Sequence, residues 1–225
     1  MPIRDGEKIC EVRLLGRIPY SDALSLQERA VEKLRTREAY EQLLLLEHPH
    51  VITLGRGAKQ HNILFSEVVL ALRSVEVHHT GRGGDVTYHG PGQLVGYPII
   101  NLRPDRCDVH RYVRDIEEIL IQSIAEYGIR GDRIKGLTGV WVGDRKIAAI
   151  GVRIARWITS HGFALNVTTD LSYFDFIIPC GIKNKGVTSM ARLLDREVDL
   201  VEVARTISLK FAQIFDRKIM VTSEW

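Results

Sequence analysis

The cysteine at position 180 has the sequence context of a catalytic nucleophile. Cys180 lies between Pro179 and Gly181, directly after the apolar run 176–178. The proline restricts the backbone, and the glycine lets the N–H that follows approach a developing oxyanion, as acyl transfer through a cysteine requires. The alternative interpretation is a small buried hydrophobic residue, which is common for a lone cysteine.

A catalytic cysteine needs a base or a positive charge beside it, because a thiol is mostly protonated at neutral pH. The candidates are His161, Lys146, Lys183 and Lys185. Lys146 precedes the apolar segment 147–151, where desolvation favours a neutral amine that can act as a base, although an exposed hairpin lysine is the alternative. Lys183 and Lys185 are more typical of a solvated patch. His161 could be a base, a positioning group or a hydrogen-bonded strand histidine, and spacing does not decide among them.

Five glycines between residues 81 and 92 define the second unusual segment, called the glycine loop below. Glycines let backbone N–H groups approach a ligand that a Cβ would exclude, but they also serve tight turns. The polar residues Arg82, Thr87, Tyr88 and His89 are costly to cluster beside a buried strand, which favours a binding site. The spacing matches neither a P-loop nor a dinucleotide-binding motif, so phosphate binding is less favoured.

The composition excludes several classes of protein. Three cysteines without a C-x-x-C pair, and eight histidines without metal-ligand spacing, predict no disulfide framework, no metal and no cofactor. A reducing, cytoplasmic compartment is expected. The formal net charge of +3 comes without a block of Lys and Arg, so nucleic acid is not an expected partner. No apolar run approaches the roughly 18 residues that span a bilayer, so no membrane association is expected.

Hydrophobic periodicity supplies the elements that must hold these residues. It predicts strands at 9–15, 43–46, 51–54, 75–78, 93–99 and 161–167, and a hairpin that joins 140–142 to 146–152. It predicts helices from Tyr20 behind a Ser21 cap, at 66–73, from the cap Asp108 to Gly128, and at 200–211. Hairpins mixed with separated helices indicate an α+β (mixed α/β, two-layer) fold in one catalytic domain, 1–225, with a possible small helical appendage from about residue 190.

Four segments taken together closely resemble the lipoyl(octanoyl) transferases. They are residues 82–93, 139–142 with 146–151, 161–167, and 179–182 with 186–189. Their order and spacing match as well, and with 47–49 and 53–56 the similarity covers residues 40 to 190. Several long motifs in register are far more specific than any one of them.

The resemblance implies a biotin/lipoate protein ligase-like catalytic core and a ping-pong transfer of octanoyl through a cysteine thioester, the first step of endogenous protein lipoylation. The donor would be octanoyl-acyl carrier protein. The acceptors would be lysines on the lipoyl domains of 2-oxoacid dehydrogenase E2 subunits and on the glycine cleavage H protein. Cys180 would be the nucleophile and Lys146 the residue that activates its thiol. No cofactor is implied, and a monomer is expected.

The resemblance also assigns fifteen substrate-binding residues. They are Arg82, Gly83, Gly84, Asp85, Val86, Thr87, Tyr88, His89, Ala149, Ile150, Gly151, His161, Gly162, Phe163 and Ala164. An acidic carrier protein would be attracted by two basic segments, one with Arg145, Lys146, Arg153 and Arg156, the other with Lys183, Lys185 and Arg192. The alternatives are an ATP-dependent lipoate or biotin protein ligase, a Cys-His hydrolase and a non-enzymatic acyl-binding module.

Overall fold

A mixed β-sheet forms the centre of the computed structural model, which describes residues 8–178 and 185–222. The strands are β1 (Ile9–Arg17), β2 (Glu41–Glu47), β3 (Val51–Leu54), β4 (Glu76–His79), β5 (Val86–His89), β6 (Gln93–Ile99), β7 (Asp132–Ile134), β8 (Leu137–Val142), β9 (Arg145–Ala155), β10 (Ile158–Asn166), β11 (Gly186–Val187) and β12 (Lys218–Val221). The helices are α1 (Tyr20–Arg35), α2 (Glu67–Leu72), α3 (Val109–Ala125), α4 (Met190–Leu194) and α5 (Leu200–Phe215). Two 3₁₀ segments lie at Gln60–Asn62 and Leu171–Phe176.

Nine of these strands form the main sheet, in the order β12-β1-β2-β6-β10-β9-β8-β7, with β11 beside the start of β9. Strand β1 is parallel to both β12 and β2, whereas the ladder from β2 to β7 is antiparallel. A smaller sheet, β4-β3-β5, lies apart from it. The antiparallel ladder places β9 and β10 side by side, so motifs that are far apart in the sequence meet on one surface.

Both faces of the main sheet are covered by helices, and β2 shows why. Leu43 and Leu45 pack into the core formed with α3 and α5, whereas Leu44 and Leu46 pack on the opposite face against α1. A strand that is buried on both faces carries a continuous apolar run rather than an alternating one. The apolar run 43–46 therefore indicates a central strand.

Helix α3 has the predicted cap, because the Asp108 side chain accepts a hydrogen bond from the backbone N–H of Arg111. The predicted Ser21 cap of α1 was wrong. The helix begins at Tyr20, with Pro19 at the capping position and no side-chain hydrogen bond to the first turn. The Tyr20 side chain is buried, so this helix end is fixed by packing instead of by a cap.

The residues after 190 contribute to the same core as the rest of the described chain. Helix α5 packs against α3, and Val203, Ile207 and Phe211 are buried in the core cluster that also contains Leu43. Strand β12 then extends the main sheet beside β1. Within residues 8–178 and 185–222, none of the helices is long and apolar enough to cross a membrane.

Candidate active site

A narrow cleft, called the slot below, lies where β9 and β10 meet the glycine loop on the α1 side of the sheet. It encloses about 480 Å³ of empty space, its open mouth included. The lining residues are Tyr20, Arg82, Gly84, Asp85, Val86, Thr87, His89, Tyr97, Ala149, Ile150, Gly151, His161, Gly162, Phe163 and Ala164. Most of this surface is aliphatic, aromatic or backbone, with a few polar groups, which is the usual make-up of a small-molecule site.

Small residues in register form the floor of the slot. Ala149 of β9 pairs with Ala164 of β10, and Gly151 pairs with Gly162. A Cβ at Gly151 would lie only 3.1 Å from Cδ of Arg82, so a larger residue there would push against the loop above it. The strands leave room for an elongated apolar ligand because these four positions carry almost no side chain.

Arg82 holds the glycine loop against the end of β3. Its guanidinium donates to the Thr53 carbonyl oxygen at 2.7 Å, to Thr53 Oγ1 at 2.9 Å and to the Gly83 carbonyl oxygen at 3.1 Å. The residue is only 7% exposed. A buried charge needs such hydrogen bonds, and the arginine brings a fixed positive charge to the wall of the slot.

The Asp85 carboxylate ties the loop to the neighbouring 3₁₀ segment. It accepts from the Val86 N–H at 2.7 Å and from Asn62 Nδ2 at 2.6 Å. The Asn62 carbonyl oxygen in turn accepts from the Ile178 N–H at 2.8 Å. One asparagine therefore connects the glycine loop with the chain that leads toward residue 180.

Three histidines are buried in and behind the slot, and each is neutral near pH 7. Burial lowers the pKa of His48 and of His161 to about 4 and the pKa of His89 to about 3. His48 Nε2 lies 2.8 Å from the Tyr97 hydroxyl, and His89 Nδ1 lies 2.7 Å from Gln93 Oε1. This side of the slot is polar, but its histidines add no charge at neutral pH.

Lys146 lies at the start of β9 in a second cavity, called the Lys146 cavity below. The residue is 8% exposed, and its Nζ lies 4.8 Å from the centroid of the buried Trp141 ring. An aromatic face stabilises an ammonium ion. The other lining residues are Thr87, Gln93, Ala149, Ala164, Asn166, Phe174 and Val187. Thr87, Ala149 and Ala164 also line the slot, so the two cavities lie next to each other.

Hydrogen bonds fix the polar wall of the Lys146 cavity. Gln93 Nε2 donates to Asn166 Oδ1 at 2.9 Å, and Asn166 Nδ2 donates to the Thr188 carbonyl oxygen at 2.9 Å. The Thr188 N–H donates to the Lys146 carbonyl oxygen at 3.0 Å. The chain that follows residue 184 is thereby attached to the strand that carries the lysine, and Val187 pairs directly with Lys146.

The structure brings thirteen of the fifteen predicted binding residues to the slot; Gly83 and Tyr88 do not line it. The Tyr88 hydroxyl lies 2.8 Å from His50 Nδ1, and its ring stacks on Tyr173, in the core beneath the smaller sheet. The Gly83 N–H donates to the Val152 carbonyl oxygen at 2.9 Å. The predicted nucleophile, Cys180, lies outside the described residues.

Sequence reasoning missed six residues of the two cavities. Tyr20 and Tyr97 line the slot, and Gln93, Asn166, Phe174 and Val187 line the Lys146 cavity. The tyrosines lie in apolar patterns that predict only core packing. Gln93 and Asn166 had a usable signal, because each is a polar amide at the end of a strand whose other residues are mostly apolar.

The basic residues of the first predicted segment do not lie together on the surface. Arg145 and Arg156 are both exposed, but they lie at opposite ends of the 11-residue strand β9, and Lys146 is buried. Lys185 is paired with Asp144. Arg145 and Arg156 therefore do not share one surface patch, because an extended strand carries its two ends roughly 33 Å apart.

This chain is similar to proteins of one enzyme family over most of its length. A family model described as the lipoyl protein ligase A/B catalytic domain matches residues 19–212. The octanoyltransferase of Solibacter usitatus (strain Ellin6076) is 54% identical over 211 residues, which cover 94% of this chain and 95% of that protein. The octanoyltransferase of Myxococcus xanthus is 52% identical over 208 residues, which cover 90% of this chain and 58% of that protein.

Solved structures share the fold at low identity. The bi-partite lipoate protein ligase from Thermoplasma acidophilum aligns with a TM-score of 0.73 and 17% identity over 95% of this chain and 87% of that chain. The biotin protein ligase from Aquifex aeolicus in complex with biotin and ATP aligns with a TM-score of 0.57 and 14% identity over 92% of this chain and 70% of that chain. The predicted α+β fold with a biotin/lipoate protein ligase-like core is confirmed.

Proposed function

Because this chain belongs to the octanoyltransferase family, we propose that it transfers octanoyl from an acyl carrier protein to the acceptor lysine of a lipoyl domain. The structural observation that carries the proposal is that the slot and the Lys146 cavity lie side by side and share three lining residues. An acyl chain in the slot would present its carbonyl carbon to the groups around Lys146. Burying that chain contributes roughly 0.8 kcal/mol per methylene, several kcal/mol in total.

The proposed reaction has two half-reactions through Cys180. In the first, the thiol sulfur attacks the donor thioester, a new C–S bond forms, and the bond to the pantetheine sulfur breaks. Lys146 takes the proton of the Cys180 thiol and gives it to the departing thiolate. In the second, the acceptor lysine nitrogen attacks the acyl carbon, the C–S bond to Cys180 breaks as the amide bond forms, and the proton lost by the nitrogen passes through Lys146 to the Cys180 thiolate. Exchange between thioesters is nearly isoenergetic and amide formation runs downhill, so no nucleotide is consumed.

The surroundings of Lys146 support its assigned role. The Trp141 ring stabilises the ammonium that forms when Lys146 accepts a proton. Lys185 Nζ lies 5.8 Å from the centroid of the same ring, and Val187 pairs with Lys146. The role of Cys180 itself rests on the sequence motif.

The donor protein is expected to dock at the Lys146 end of β9. Arg145 is exposed there, and Arg192 is exposed on α4. Carrier proteins are acidic, so raising ionic strength should lower kcat/KM for the carrier-bound substrate, whereas an octanoyl thioester of a small thiol should be unaffected. Equal salt dependence for both donors would contradict this docking. The expected compartment is a reducing one, since the mechanism needs a free thiol.

The proposed function is tested by mixing the enzyme, octanoyl-carrier protein and an apo lipoyl domain without ATP. Intact mass should show an octanoyl adduct on the enzyme that the lipoyl domain discharges. The adduct should be absent in Cys180→Ser and present in Cys107→Ser, a control at an exposed free cysteine. Lys146→Met should slow adduct formation by at least a hundredfold.

Other outcomes identify the alternatives. Transfer that requires ATP and survives Cys180→Ser would indicate a ligase. Release of octanoate without an acceptor, lost in His161→Ala as fully as in Cys180→Ala, would indicate a hydrolase. His161 lines the slot but is not among the residues of the Lys146 cavity, which favours the transferase. Stoichiometric binding without turnover would indicate an acyl-binding module.

A further inference from the structure

A third cavity lies on the far side of His161 from the slot, and we call it the α1 groove. It lies between α1 and the ends of β9 and β10, and its walls include Leu24, Val31 and Ile158. His161 is the one residue that lines both the slot and the α1 groove. One side chain therefore stands at the boundary between the two spaces.

The backbone at His161 departs from a regular strand. Its φ is +55°, in the left-handed region, within a strand whose other described non-glycine residues have negative φ. Its N–H donates to Gln27 Oε1 of α1 at 2.7 Å rather than to a neighbouring strand. Such a conformation in a residue other than glycine is costly and persists only where its surroundings enforce it.

This conformation places the imidazole between the two cavities. The ring lies edge to face against Tyr97, with 6.4 Å between the ring centroids, and the residue is 3% exposed. Arg82, which lines the slot, and Arg153, which lines the α1 groove, both act electrostatically on the ring. Burial and these two charges lower the pKa of His161 to about 4, so its imidazole is neutral near pH 7.

The distance along the sheet fits an eight-carbon chain. Ala149 lies at the junction with the Lys146 cavity and pairs with Ala164, and His161 pairs with Val152. His161 therefore lies three strand residues beyond the Ala149–Ala164 pair, a distance of about 10 Å along the strand. An extended octanoyl chain measures roughly 9 Å, at roughly 1.25 Å per carbon–carbon bond projected on its axis. A chain whose carbonyl lies at the junction therefore ends at His161.

We propose that His161 is the end wall of the acyl slot, that it sets the upper chain length of the substrate, and that the α1 groove is the space that longer chains enter when the wall is removed. This inference rests on the proposed octanoyl transfer and adds a specificity determinant to it.

The test is His161→Gly, because glycine adopts positive φ without strain and removes the whole side chain. Each added methylene that becomes buried is worth about fourfold in kcat/KM. The ratio of decanoyl to octanoyl turnover should therefore rise about fifteenfold over wild type, whatever the change in octanoyl turnover itself. If His161→Gly does not fold, His161→Asn tests the same direction, because asparagine tolerates positive φ and is smaller than histidine.

A matched control separates the wall from general loosening of the slot. Val31→Phe fills the α1 groove from the α1 side, far from the proposed chemistry. Alone it should change neither octanoyl nor decanoyl turnover. Combined with His161→Gly it should abolish the gain for decanoyl and keep octanoyl turnover at the level of His161→Gly alone.

Two results would overturn the inference. One is a folded His161→Gly enzyme that transfers octanoyl with the chain-length ratio of wild type. The other is a gain for decanoyl that Val31→Phe does not reverse. Failure of the proposed function would be visible separately, as wild-type enzyme that transfers no octanoyl. Calorimetric binding of octanoate and decanoate to the same variants would then measure the ratio without turnover.

Discussion

Shortening the slot at its junction with the Lys146 cavity should convert the enzyme to one that prefers short acyl groups. Ala149 lies at this junction, half-buried and paired with Ala164. Ala149→Leu adds three carbons to the floor at the point where the slot begins, and these displace about three methylenes of the acyl chain. At roughly 0.8 kcal/mol each, the loss is about 2.4 kcal/mol, or about fiftyfold in kcat/KM for octanoyl.

The assay compares octanoyl and acetyl transfer from the same carrier protein to an apo lipoyl domain, followed by intact mass. Acetyl extends only one carbon beyond a carbonyl at the junction, so its kcat/KM should change less than threefold and the octanoyl to acetyl ratio should fall about fiftyfold. Ala125→Leu, the same change at an exposed position at the end of α3, should leave the ratio unchanged. Equal losses for both acyl groups would refute the slot as the binding site of the chain.

Three further outcomes concern stability. The buried histidines have lower pKa values in the folded state than in the unfolded chain, so the unfolded chain binds more protons below pH 6.5. In urea titrations, the free energy of unfolding should be highest above pH 6.5 and should fall by about 3 kcal/mol per histidine toward pH 4. A free energy that does not change with pH would contradict the neutrality of these histidines. Glu117→Ala removes the buried carboxylate that accepts from the Gly139 N–H and from two arginines and should cost about 2 kcal/mol, whereas Glu118→Ala, at the surface, should cost under about 1 kcal/mol; similar losses would refute the difference. Gly96→Ala places a Cβ 2.1 Å from the Phe163 ring and should sharply lower Tm, but Gly186→Ala, with its nearest contact at 3.6 Å, should not; equal Tm values would contradict the packing.

Local patterns were sufficient for the elements that carry their own signals. Strand β6 was predicted at 93–99 and is observed at Gln93–Ile99, because seven consecutive buried residues follow a turn. The Asp108 cap and the hairpin around Gly143 also follow from residues close together in the sequence. In these cases the local preference and the tertiary environment agree.

Features that depend on distant contacts were not predictable. Strand β10 begins at Ile158 rather than at residue 161, because Ile158 and Thr159 pair with the end of β9. Tyr20 and Tyr97 meet at the slot although 77 positions separate them. The positive φ of His161 accompanies a hydrogen bond that its N–H donates to Gln27 Oε1, on a helix far away in the sequence. No local pattern encodes such partners.

The same limit applies to the candidate site. Glycine spacing and polar residues indicated a binding loop, and thirteen of the fifteen assigned residues line one cleft. The two others, Gly83 and Tyr88, belong to the same continuous motif, but the Gly83 N–H bonds the Val152 carbonyl oxygen and the Tyr88 ring stacks on Tyr173 in the core. A motif identifies a segment, whereas contacts with residues outside the motif decide which of its residues line the cleft.

The double attachment of Asn62 has a consequence for protein engineering. Its side chain holds Asp85 of the glycine loop and its carbonyl oxygen holds the backbone at Ile178, so the two segments share one anchor. A chimera that receives the loop of another acyltransferase without residues 59–62 would lose that anchor at both ends. Transplanted specificity in this scaffold therefore requires the short 3₁₀ turn to travel with the loop.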